Sequence, residues 1–153
     1  IRISASKTVY AGEHEIMGKD ITNVEVVETQ SFPSVNPIDL TNKLNELENY
    51  QNSYFTVTLT VKEYTTTDAN TGVAANKAYG YKGDAPTDDL YFTLTDGTTD
   101  LSCCIEYYLT GSSSQTYLNT LALEVGDTVK VTGCLYWWNG ANPHILTVEK
   151  VSA

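Results

Sequence analysis

No apolar run in this 153-residue sequence approaches the roughly 20 residues a helix needs to cross a bilayer, so the segment carries no helical membrane span. It also lacks the charged-then-apolar opening of a secretory leader and does not begin with Met. The expectation is a segment excised from a longer protein, with neighbouring domains of that parent chain as its first partners. Basic residues are scarce: nine Lys and Arg stand against nineteen Asp and Glu, a formal charge of -10. That balance repels phosphate backbones at long range and disfavours nucleic acid as a partner. Only three Cys occur, and Cys103, Cys104 and Cys134 have neither zinc-site nor Cys-x-x-Cys spacing. They are expected as buried or half-buried thiols. A disulfide from Cys134 to one of the adjacent pair is the alternative, and strand alternation leaves at most one of that pair well placed. Gly-x-Ser-x-Gly, His-Glu-x-x-His and phosphate-loop patterns are absent as well. The chain is therefore read as non-catalytic, with no cofactor and no metal.

What is present favours strands. Eleven Tyr, three Phe and two Trp sit among abundant Thr and Val, with a single Met. Ser53–Thr65 alternates strictly, placing Phe55, Val57, Leu59 and Val61 on one face and Tyr54, Thr56, Thr58, Thr60 and Lys62 on the other. A long Thr, Asn, Gly and Ala-rich loop follows from Thr66 to Asp88. Leu90, Phe92 and Leu94 then pair across the Asp96-Gly97 turn with Leu101, Cys103, Ile105 and Tyr107, predicting a hairpin of second and third strands. Tyr117, Leu118 and Leu121 predict a short helix behind Ser caps. Val129, Val131 and Leu135 mark a fourth strand, and Ile145–Val151 a fifth beyond the Asn139–Pro143 turn cluster.

Upstream, Pro37 followed by Ile38, Leu40, Leu44 and Leu47 predicts an amphipathic helix. The chain also opens with an echo of its own end. Ile1–Ala5 is patterned like Val129–Gly133, and Gly12 precedes Gly140 by the same 128 positions; Ile21–Val27 echoes Ile145–Val151 at 124. Short Val/Ile/Thr strings share such patterns by chance, and that reading stays beside the repeat reading. The division expected is residues 1–30 as a β-hairpin left from a preceding tandem copy, 31–52 as linker and helix, and 53–153 as a five-stranded barrel.

Gly126–Gly133, Tyr91–Gly97 and Trp138–Pro143 together resemble the oligonucleotide/oligosaccharide-binding (OB) fold modules of bacterial extracellular proteins. Such modules accompany nuclease, carbohydrate-active or adhesive domains. The resemblance spans Thr56 to Val151 and implies an all-β Greek-key barrel of five strands. It also implies an extracellular or cell-surface setting. Barrels of this type bind on the outer face of strands two and three, between the loop joining strands one and two and the loop joining four and five. On this chain that face would hold Tyr91, Thr93 and Tyr108, with Tyr79 and Tyr81 from the first loop and Tyr136, Trp138, Asn139, Asn142 and His144 around the second. By strand parity Cys104 faces out beside them and Cys103 faces in. The function expected is a binding or spacer module contacting carbohydrate or protein through this aromatic rim. Packing at the barrel rim alone is the plainer account of any single ring. The alternative function is a single-stranded nucleic-acid-binding domain serving a nuclease.

Overall fold

A computed structural model of the chain describes residues 1–28, 35–83 and 88–151. The first segment is a ribbon. β1 (Arg2–Ala5) pairs antiparallel with β4 (Ile21–Glu25), and between them β2 (Thr8–Tyr10) and β3 (Glu13–Glu15) form a tighter hairpin that turns at Ala11 and Gly12. It lies outside the main sheet.

Next comes a segment where a single amphipathic helix is predicted, and the structure splits it. β5 (Ile38–Asp39) runs parallel to the first barrel strand, and only Leu44–Tyr50 is helical, as a 3-10 helix. The cause is local. The Asp39 carboxylate accepts bonds from the Thr41 amide and hydroxyl at 2.9 and 2.7 Å, while the Leu40 amide donates to Thr56 O. This side-chain turn holds the backbone out of the helix. Leu40, Leu44 and Leu47 still reach the core, whereas Ile38 stays exposed.

The barrel consists of β6 (Tyr54–Lys62), β9 (Leu90–Thr95), β10 (Asp100–Ile105), β11 (Thr128–Cys134) and β12 (His144–Lys150). β6 pairs with β9, β9 with β10, β10 with β12, β12 with β11, and β11 with β6 again, so the ring closes. All these pairings are antiparallel except β10 with β12, which meet in parallel at Cys104 and His144. That connectivity is the OB-type Greek-key barrel. Its interior takes the alternate residues of each strand, among them Phe55, Val57, Phe92, Leu94, Val131 and Ile145, all at most 1% exposed. Each such side chain contributes about 1.5–3 kcal/mol by leaving water.

The first long loop is more ordered than its composition suggests. β7 (Thr71–Val73) and β8 (Gly80–Lys82) form a hairpin that continues the sheet outward from β9. The third strand is shorter than expected and ends at Ile105. The Tyr107 amide donates to the Asp89 carboxylate at 2.9 Å instead of extending the ladder, and α1 (Tyr107–Thr110) makes one helical turn. Tyr108 therefore leaves the sheet and stands 93% exposed on that turn, not on the outer face of a strand. The helix before the fourth strand is α2 (Gln115–Leu121), capped by the Ser114 hydroxyl accepting from the Tyr117 amide at 3.1 Å. Among the described residues no helix is long and apolar enough to cross a membrane.

Candidate functional site

Strand register assembles the site. Tyr91 on β9 faces Cys104 on β10, and Cys104 in turn faces His144 on β12, so three outward side chains form one row across the barrel face. On the β9 side the row continues to Gly80, where a side chain would collide with the ring of Tyr64. Glycine there lets that ring lie on the sheet. Beyond His144 comes Tyr136, its ring 4.7 Å from the imidazole and tilted by 43°. The result is a track of flat groups, Tyr64, Tyr91, His144 and Tyr136, with the Cys104 thiol at its centre.

Both central groups are uncharged at neutral pH. Burial drives the Tyr91 phenol far above its ordinary range, helped by the neighbouring Cys104, Asp89 and Asp88. The Cys104 thiol is pushed up to about 12, again chiefly by burial and then by Asp89 and Glu106. Cys104 is only 4% exposed although it points away from the core. Strand parity predicts that it faces out, and it does, but its neighbours cover it. Cys103 is buried in the core, Cys134 is exposed, and all three thiols are free.

A depression beside Tyr91 is lined by Tyr64, Thr66, Asp68, Thr71 and Lys82. Asp68 is occupied by its own turn, accepting from the Asn70 amide at 2.9 Å and the Thr71 hydroxyl at 3.2 Å, which holds its carboxyl below the usual range. Other cations near the barrel face carboxylates directly: Lys62 with Asp100 at 2.5 Å and Lys77 with Glu63 at 2.8 Å.

The remaining residues expected at the site divide. Thr93 shares the outer face of β9, opposite Ser102. Tyr79 and Tyr81 are half-buried against the core, with the Tyr81 ring packed over Gly72, and serve the first loop's own hairpin. Trp138, Asn139 and Asn142 belong to the second loop, whose tip is shared with another element although Trp138 stays 47% exposed. The N-terminal ribbon docks there: Tyr10 meets Trp138 edge to face at 5.2 Å, and the Asn139 amide donates to Ala11 O at 2.6 Å. Gln51 and Asn52 hold the ribbon's backbone through Gly12 and His14. Glu13 is buried at this junction, and desolvation together with Glu15 raises its carboxyl.

Tyr64 is the ring that sequence reading misses. The outward parity of Tyr54 through Lys62 continues to it, but the strand itself ends at Lys62.

The fold and this row define an OB-type β-barrel. No protein-family model matches the chain, and no curated protein does. Similar solved structures include the asparaginyl-tRNA synthetase of Pyrococcus horikoshii, at 13% identity and a TM-score of 0.47, with 78% of this chain and 24% of that one covered. The same enzyme complexed with asparaginyl-adenylate gives 12% identity and 0.46, covering 78% and 23%. The chain thus spans about a quarter of the length of these proteins. The OB assignment follows from strand pairing, not from these distant likenesses. They do correct the expected partners, a carbohydrate or protein with nucleic acid disfavoured: these neighbours are tRNA synthetases, and that preference is withdrawn. The net charge behind that preference is not all at the face: Glu25 pairs with Arg2 and Asp127 with Lys150, while Asp88, Asp89 and Glu106 act on the row.

Proposed function

We propose that this domain binds single-stranded nucleic acid non-catalytically, laying bases against the row that crosses β9, β10 and β12. The observation that carries the reading is the cross-strand alignment of Tyr91, Cys104 and His144, flanked by the Tyr64 and Tyr136 rings. Neighbouring strands lie about 4.8 Å apart, so a chain crossing them meets a new flat group every strand or two. Base stacking on such groups is worth about 1–3 kcal/mol per base and tolerates any sequence, because every base has a π-face. Two or three stacked bases without much phosphate pairing amount to a dissociation constant of about 10–100 μM, roughly 5–7 kcal/mol.

Fluorescence anisotropy with labelled single-stranded DNA and RNA of mixed sequence tests this. Binding in that range is expected, weakened about tenfold by Tyr91→Ala or His144→Ala and retained by Tyr91→Phe. No anisotropy change up to about millimolar protein, or binding indifferent to both alanine variants, would overturn the proposal.

A further inference from the structure

The barrel closes without the N-terminal ribbon, yet the ribbon is shaped like part of a barrel. Its apolar side chains stand in water: Ile3 is 50% exposed and Val24 59%, with Ile1 and Val26 more so. Apolar surface of this extent marks an interaction face, and the register indicates what it fits.

In the ribbon Ile3 faces Val24, Ser4 faces Asn23 and Ala5 faces Ile21, with a bulge between Ser4 and Ala5. In the barrel Val131 faces Val148, Thr132 faces Thr147 and Gly133 faces Ile145, with a bulge between Thr132 and Gly133. Every pair corresponds when the first strand is moved by 128 positions and the second by 124. Both hairpins also turn through positive φ at corresponding positions, Ala11 and Gly12 at 48° and 83° and Asn139 and Gly140 at 54° and 146°, although the first closes over two residues and the second over three. Shared Val/Ile alternation does not by itself place a bulge at the same step, because a bulge is a specific local insertion that resets the ladder.

We infer that the ribbon is the closing hairpin, strands four and five, of a second OB barrel, and that its partner is the three-stranded sheet of a preceding copy of this fold. That sheet would add one antiparallel strand along β1, as β6 does along β11, and one parallel strand along β4, as β10 does along β12. Ile3 and Val24 would then become core, as their counterparts Val131 and Val148 are. A second copy of this same barrel cannot supply the sheet, since its first three strands are already closed by its own β11 and β12. The two closing hairpins meet through corresponding residues, Tyr10 with Trp138 and Ala11 with Asn139. Adjacent copies therefore join loop tip to loop tip.

The test uses the longer chain that the inference requires. Its sequence immediately before Ile1 is expected to read as an alternating strand, a loop, a hairpin and a short helix. On that full chain, hydrogen exchange at the outward amides of Arg2–Ala5 and Ile21–Glu25 is expected to be as slow as in β11 and β12. Ile3→Asp with Val24→Asp is expected to release that protection at least about a hundredfold in the ribbon and the preceding copy, leaving Tyr54–Val151 protected as an internal control. A preceding sequence without this pattern, or ribbon amides that exchange freely in the full chain, would overturn the inference.

Discussion

Gly133 occupies a point where β11 passes so close to β12 that a Cβ would run into the His144 carbonyl and sit 2.9 Å from the Ile145 Cα. Those are backbone atoms and cannot rotate away. Gly133→Ala is therefore expected to lower stability by at least about 2–3 kcal/mol, in the range of core overpacking. Gly97→Ala is the matched control: its site is open but its φ is +93°, so only the left-handed backbone cost of about 1 kcal/mol applies. Urea unfolding of both variants measures the difference. A second expectation concerns the thiols. In the native protein Cys134 should react with a thiol reagent first, because it is exposed, while Cys103 and Cys104 wait for opening of the sheet. Rapid modification of Cys104 would show that the Tyr91–His144 row does not cover it.

The β11–β12 pair is held at one end by Asp127, which accepts from Lys150 at 2.7 Å and from the Glu124 amide at 2.7 Å. Lys150 and that amide hold the Asp127 carboxyl below its ordinary 3.8. A carboxylate depressed on folding stabilises the fold above the unfolded value, and that stabilisation is lost as pH falls through the folded one. Asp127→Asn is thus expected to lower the urea midpoint at pH 7 and to cost progressively less below about pH 4. An equal cost at pH 7 and pH 3 would mean the side chain acts by shape alone. Much at this scale was readable beforehand. Strict alternation in β6, β9 and β11 fixed their core faces, because a half-buried strand must alternate with period two, and Asp96-Gly97 and the Asn139–Pro143 cluster fixed turns. What was not readable depends on tertiary partners. Asp39 bonding Thr41 split the expected helix, and Asp89 capturing the Tyr107 amide ended β10 early. Of the site, the sequence named Tyr91, Tyr136 and His144; their alignment through Cys104 is set by the parallel β10–β12 contact, which no local pattern encodes.

For the whole molecule, the sign of the salt dependence distinguishes stacking from phosphate pairing. A domain that engages three phosphates of a single strand with lysines loses affinity with a slope of about -2 in log K against log salt, because counterions are released. Here Lys62 and Lys77 are held by Asp100 and Glu63, and the formal charge is -10, so binding displaces few counterions and must instead overcome a diffuse repulsion. Salt weakens that repulsion: the screening length falls from tens of ångströms at about 0.01 M to about 8 Å at 0.15 M. Stacking on Tyr91 and His144 is indifferent to it. Affinity for a short single-stranded oligonucleotide is therefore expected to stay level or rise modestly between about 20 and 200 mM salt, the reverse of the usual trend. Lys62→Ala should change little, whereas Asp100→Asn, which frees a cation near the row, should raise affinity and turn the slope negative. A steep negative slope in the unmodified protein would place phosphates against lysines other than Lys62 and Lys77, with Lys82 in the depression beside Tyr91 the first to test by Lys82→Ala.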